Sequence, residues 1–168
     1  MEKGDLFPRF VLKDENGETV DSEQLLGLRY VVFFYARDNT PGCTAEAVDF
    51  TRLYANFAMR NVLVFGISGD SVESHRRFKD RQGLKEKLLS DPDHSFAEKC
   101  GAFGDKVSYG KQVRGTIRST FLVGKDGKVE EAWTNVKVDG HAQKVLDSML
   151  AHFKNDTGSG IPFGDGRW

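Results

Sequence analysis

Hydrophobic and polar positions alternate in blocks whose periods predict a strand-helix succession. Tyr30-Val31-Val32-Phe33-Phe34-Tyr35 is a continuous apolar, β-prone run, the pattern of a strand buried on both faces. The turn-rich stretch Arg37-Asp38-Asn39-Thr40-Pro41-Gly42 ends it. Ala47, Phe50, Tyr54, Phe57 and Ala58 then recur at helical spacing, and Val48 and Leu53 broaden the stripe. A second buried strand is predicted over Asn61 to Ile67. Asp70 and Glu73 have the spacing of a capping box for a helix reaching Arg81.

Near the N-terminus, Phe10-Val11-Leu12 and Glu18-Thr19-Val20 flank Glu15-Asn16-Gly17, and Asn-Gly is a hairpin signal. Further on, Leu88-Leu89-Ser90 reads as a short strand and Asp93 to Gly101 as a short helix. Ser119 to Val123 reads as a strand that Asp126-Gly127 turns into a hairpin partner, Val129 to Thr134. His141 to Phe153 is the last amphipathic stretch. Strands alternating with helices and a closing hairpin predict an α/β fold with a mixed central sheet and flanking helices. The expected domain spans residues 1–153. Residues 154–168, rich in Gly with Asp, Ser and Thr, are expected to form a flexible tail.

The chain has 168 residues, enough for one domain whose core needs no disulfide or metal. A net charge of -1 argues against nucleic-acid binding, and no apolar run approaches a membrane span. The polar start Met1-Glu2-Lys3-Gly4-Asp5 has no apolar signal core after it, which predicts a cytoplasmic protein. Two cysteines, Cys43 and Cys100, are too few for a secreted disulfide scaffold. They are inert core thiols or chemistry. His75, His94, His141 and His152 show no metal-ligand spacing, so no metal is expected, and His94 is read as part of a turn and helix cap. Ser119 and Thr120 have no evident paired base.

Cys43 stands where the buried strand gives way to a helix. Thr40 is a suitable N-cap, Pro41 suits the first helical position, and Gly42 lets another group approach the backbone. Cys43 then falls in the first helical turn, where free N–H groups and the helix dipole favour a negative charge. An ordinary cysteine has a pKa of about 8.5. Helix N-termini and nearby cations bring it to about 3.5–7.5, where the thiolate, the nucleophilic form, prevails.

Phe33-Phe34-Tyr35-Ala36-Arg37-Asp38-Asn39-Thr40-Pro41-Gly42-Cys43-Thr44-Ala45-Glu46 resembles the peroxide-site motif of peroxiredoxins, in particular the bacterioferritin-comigratory-protein (Q-type) group. The likeness continues through Leu88-Leu89-Ser90-Asp91-Pro92-Asp93-His94, Tyr109-Gly110-Lys111, Gly115 to Leu122 and Gly140-His141. It implies a thioredoxin-like fold with an N-terminal hairpin. It implies a peroxidase acting on hydrogen peroxide and organic hydroperoxides with no bound cofactor, Cys43 attacking the O–O bond and becoming a sulfenic acid. By the same resemblance Thr40 hydrogen-bonds thiolate and peroxide, Arg118 stabilises both, and the backbone N–H groups of Gly42 and Cys43 hold the peroxide. Arg37 and Arg114 are weaker candidates for that cation.

Two departures from the family pattern stand out. Ala36 replaces a proline that walls the thiol from solvent, and Val48 replaces the cysteine with which many members resolve the sulfenic acid. Cys100 is the remaining internal partner. Resolution through a Cys43–Cys100 disulfide therefore competes with an external thiol: thioredoxin, glutaredoxin or a small thiol. The resemblance further implies a monomer or weak dimer. A non-enzymatic thiol sensor or holdase on the same fold is the alternative, motivated by these two positions.

Overall fold

The computed structural model describes residues 1–158. Its centre is the apolar run, β3 (Tyr30–Phe34), in which every residue is buried. Parallel to it lies β4 (Leu63–Ser68), and beyond that β5 (Lys87–Ser90). Antiparallel to its other edge are β8 (Ser119–Val123) and then β9 (Val129–Thr134). The hairpin β1 (Val11–Lys13) and β2 (Thr19–Asp21) joins at β5, giving the order β2-β1-β5-β4-β3-β8-β9. The mixed α/β architecture expected from the sequence is therefore present.

Side chains along β3 alternate between two cores, because successive residues of a strand point to opposite faces. Val31, Phe33 and Tyr35 face one side with Cys43, Ala47, Phe50, Phe57, Phe78, Leu122 and Val145. Tyr30, Val32 and Phe34 face the other with Phe7, Phe10, Phe96, Ala97, Cys100 and Phe121. The first core lies under α1 (Pro41–Arg52), α2 (Tyr54–Ala58), α3 (Val72–Gln82) and α5 (His141–Gly158), and the second under α4 (Ser95–Lys99) and the N-terminal segment. Among the described residues no helix is long and apolar enough to cross a membrane.

Several local expectations need correction. The helix predicted through Ala58 is two helices, because Leu53 (φ -97, ψ 1) leaves the helical path between α1 and α2. The cap of α3 is Ser71, whose hydroxyl accepts from Ser74 N, whereas Asp70 turns away to accept from Asp38 N and Ser68 Oγ. His94, by contrast, is the backbone N-cap of α4 at the end of the Asp91–His94 turn, as expected; its ring stacks on Phe103, and the side-chain bonds to Phe96 N and Ala97 N come from the Asp91 carboxylate. Helix α5 continues past Phe153 to Gly158, and the rest of the expected tail lies outside the described residues.

A two-stranded ribbon of β6 (Phe103–Ser108) and β7 (Lys111–Thr116) has no counterpart in the expected elements. Its strands are polar and half exposed, so the buried-strand pattern is missing. The readable signal is its two-residue turn, Tyr109-Gly110, both at positive φ, as hairpin turns of this length require.

Candidate active site

The turn after β3 is fastened from below. Tyr35 N donates to Ile67 O, Asp38 N donates to Asp70 Oδ2 at 2.8 Å, and Asn39 adopts the left-handed conformation (φ 67) that asparagine tolerates. Thr40 is the N-cap by its backbone (φ -79, ψ 150), yet its hydroxyl does not cap; it donates to the carbonyl of Arg37 at 3.0 Å. Pro41 opens α1 with the φ a helix needs and no N–H to leave unpaired. Cys43 consequently sits in the first turn of a 12-residue helix and is only 2% exposed.

Strand pairing brings the cation to it. Phe34 is paired with Ser119, so Arg118, one residue before β8, stands at the sheet end where the Cys43 turn begins. Its Nη2 donates to Cys43 Sγ at 3.2 Å and its Nη1 to Glu46 Oε1 at 2.5 Å. A Cβ built on Gly42 would lie 3.6 Å from Nη2, so the guanidinium runs along the backbone at Gly42. Glu46 is one helical turn beyond Cys43, and a single guanidinium therefore clamps thiol and carboxylate together.

The electrostatics follow from this packing. Burial pushes the Cys43 thiol up, but hydrogen bonds from Thr40 and from the backbone at Arg37, with the charge and hydrogen bond of Arg118, outweigh it and hold the thiol below its ordinary value. For Glu46 the balance goes the other way. Burial pushes its carboxyl up to about 7 despite Arg118, and the charges of Glu86 and Asp49 add to the shift. Glu86, also buried, is pushed up to about 7, mainly by burial and against a hydrogen bond from Thr51. One oxygen of each carboxyl, Glu46 Oε2 and Glu86 Oε2, has no hydrogen-bond partner among the described residues.

Of the residues singled out in the sequence, Cys43, Thr40, Gly42 and Arg118 come together. Arg114 does not: it is on the ribbon, paired with Glu98 at 2.7 Å. The exposed Arg37 contributes its backbone. Ala36 is exposed and Val48 half-buried. Cys100 is buried in the other core, and burial, then the charge of Asp91, pushes its thiol up.

Three polar groups escape a reading of the sequence. Glu46 belongs to the motif without a role there, although its spacing of three from Cys43 is visible. Thr120, for which the sequence shows no partner, is 2.8 Å from His141 Nε2. Burial, then the charges of Lys144 and Arg118, lowers His141 to about 4, so a neutral ring shares a hydrogen bond with the hydroxyl. The third is the Asp38–His75 pair at 2.8 Å, joining residues too far apart in sequence for any spacing rule.

A thioredoxin-like α/β fold, with an arginine-bound thiol of lowered pKa at a helix N-terminus, defines a class of thiol-dependent peroxidases. The AhpC/TSA family model matches residues 3–132, and the chain belongs to that family. Peroxiredoxin Bcp of Xanthomonas campestris is 44% identical over 124 residues, covering 74% of this chain and 78% of that protein. Peroxiredoxin Bcp of Bacillus subtilis is 38% identical over 149 residues, covering 89% of this chain and 95% of that protein. Among solved structures, the bacterioferritin comigratory protein of Xanthomonas campestris superposes with a TM-score of 0.81 at 39% identity, covering 85% of this chain and 91% of that one. That protein is described with an alkyl peroxide reduction activity. The chain is thus a thiol-dependent peroxidase of the peroxiredoxin kind.

Proposed function

We propose that Cys43 is the peroxide-attacking thiol, with Thr40 and Arg118 as its partners. The supporting observation is the Arg118 Nη2 to Cys43 Sγ contact of 3.2 Å at the start of α1. The thiolate attacks one oxygen of the hydroperoxide, the O–O bond breaks, and the products are Cys43 sulfenic acid and an alkoxide or hydroxide. The leaving oxygen takes a proton and departs as alcohol or water. Negative charge moves from sulfur to the leaving oxygen, and the Arg118 guanidinium, with its fixed fork of donors, stabilises it along that path. The Thr40 hydroxyl, which donates to the Arg37 carbonyl at 3.0 Å, can turn its proton to thiolate or peroxide. The Gly42 and Cys43 N–H groups, in the first helical turn where N–H groups lack intrahelical partners, are proposed to hold the peroxide oxygens.

An external thiol then attacks the sulfenic acid, releasing water and leaving a mixed disulfide. A second thiol attacks that disulfide and returns Cys43 reduced. Thioredoxin, glutaredoxin and small thiols all supply this chemistry. The separation of Cys43 and Cys100 into different cores supports an external thiol over an internal disulfide. Alkyl hydroperoxides are proposed substrates alongside hydrogen peroxide, as in the Xanthomonas campestris relative. No bound cofactor enters this scheme, because sulfur carries the redox change. A soluble monomer or weak dimer in the cytoplasm is the proposed working form. The test is peroxide consumption with a thiol reductant: wild type turns over and Cys43→Ser does not, while turnover by Cys43→Ser removes the assignment.

A further inference from the structure

Behind the reactive turn lies a polar cluster that the peroxidase scheme does not use. His75, on α3, is fully buried. Its Nδ1 is 2.8 Å from Asp38 Oδ2 and 3.3 Å from Tyr35 Oη, whose own proton goes to Asp38 Oδ1, and its Nε2 is 3.0 Å from the carbonyl oxygen of Leu89 on β5. A neutral ring has one N–H and one lone pair, so one of these contacts would set lone pair against oxygen. Protonation of both nitrogens makes the contacts with Asp38 and Leu89 both hydrogen bonds. The surroundings of Asp38 agree. Its carboxylate accepts from Tyr35 Oη at 2.6 Å on Oδ1 and from Ser74 Oγ at 2.8 Å on Oδ2, so both oxygens meet donors, as suits an ionised, acceptor-only group facing the His75 ring.

Asp70 is the remaining charged group of the cluster. It lies with Asp38 and His75 within a 4.8 Å span, and its Oδ2 is taken by Asp38 N and Ser68 Oγ. The carboxylate oxygens that face His75 and the turn are thus already hydrogen-bonded, which makes the cluster an ion pair with its donors rather than a cradle for a cation.

Asp38 lies between Arg37 and Thr40, the two turn residues that lower the Cys43 thiol. Its side chain and its N–H are both tied down, to Tyr35, α3 and Asp70, so it is a fixed point of the turn that carries Arg37 and Thr40. We propose that His75, doubly protonated and ion-paired to Asp38, is a positioning residue for Cys43: it holds the turn whose Arg37 and Thr40 face the thiol. A group that acts through the residues around a reactive atom affects rate by fixing their geometry. The inference rests on Cys43 being the reactive thiol, and a wild-type measurement separates the two ideas.

The experiment uses the full chain. Site-resolved alkylation of Cys43 against pH reads its thiolate without peroxide, and single-turnover oxidation reads the reaction. His75→Gln and Asp38→Asn move the alkylation midpoint to higher pH and slow oxidation by about tenfold, and Ser74→Ala moves both the same way by about threefold. Val123→Ala, a core truncation on the other face at the far end of β8, lowers Tm and leaves both readouts at wild type. In wild type, ¹⁵N NMR of the His75 ring shows both nitrogens protonated at neutral pH; this readout stands even if the buried variants fail to fold.

A neutral ring overturns the proposal. So do Ser74→Ala and His75→Gln proteins that match wild type, or a Val123→Ala protein that shifts as they do. A wild type in which peroxide leaves Cys43 unoxidised overturns the peroxidase reading instead.

Discussion

Cys43 and Cys100 stand on opposite faces of one sheet. Cys43 packs with Phe33, Phe50 and Leu122, and Cys100 packs with Phe34, Phe96 and Phe121. The strands between them carry the pairing that defines the fold. A disulfide requires Cα atoms within about 7 Å, so joining two thiols buried in different cores would take a rearrangement of the segments that carry them. Cys100→Ser is therefore expected to keep wild-type turnover with an external thiol. Wild type treated with peroxide in the presence of a small thiol should give a mixed disulfide at Cys43 and no internal bridge. Loss of turnover in Cys100→Ser, with recovery of a Cys43–Cys100 peptide from wild type, would reverse this.

Arg118 is expected to set the reactivity of the thiol. Arg118→Ala removes the charge and the hydrogen bond that work against burial at Cys43. The thiol should titrate at higher pH, and oxidation should slow by at least about tenfold, equal to about 1.4 kcal/mol of barrier. Because the thiolate reacts, the wild-type rate should fall on acidification through a midpoint below that of an ordinary thiol, and Arg118→Ala should raise that midpoint. Stopped-flow rates across the pH range check both statements; an unmoved midpoint contradicts them.

Glu86 gives a stability prediction with a definite sign. Its folded-state pKa is about 7 against 4.5 for the free group, so the folded protein holds a proton that the unfolded chain has lost. Stability therefore falls as pH rises from about 4.5 to about 7, and the full cost is felt above that. Glu86→Gln keeps an acceptor for Thr51 and removes the charge. The variant should gain more stability at about pH 8 than at about pH 5, the difference being on the order of 1–3 kcal/mol. Urea unfolding of both proteins at the two pH values measures it, and an equal effect at both would contradict the buried charge. The same substitution removes a charge that pushes Glu46 up, so Glu46 should titrate lower.

The buried strands, the N-terminal hairpin and the helix opening at Pro41 are legible because period and turn chemistry are local. Cys43, Thr40 and Gly42 are legible for the same reason, lying within four residues of one another. Arg118 needs the resemblance, since only the pairing of β3 with β8 carries it to α1. The β6–β7 ribbon escapes because its strands bury little. Ser71 is hard to recognise as the cap of α3 because Asp70 beside it fits the same rule, and only the Asp38 backbone decides which of the two turns inward. Glu46, Glu86 and the Asp38–His75 pair are polar residues enclosed by tertiary packing, which no window of sequence reveals.

Ala36 tests whether the pocket has adapted to its missing proline. The residue is exposed, and its N–H has no hydrogen-bond partner among the described residues, so proline removes no bond. Ala36→Pro should keep the fold, add about 0.4–1 kcal/mol by restricting the unfolded turn, and leave oxidation unchanged or faster. A fall in both Tm and rate would mean that the turn has repacked around alanine.

Mass spectrometry after one equivalent of peroxide, with a sulfenic-acid trap present, addresses the central claim most directly. The account predicts the trapped adduct on Cys43 in wild type, the same adduct in Cys100→Ser, and none on either position in Cys43→Ser. An unmodified Cys43 in wild type, or an adduct on Cys100 in its place, would contradict it.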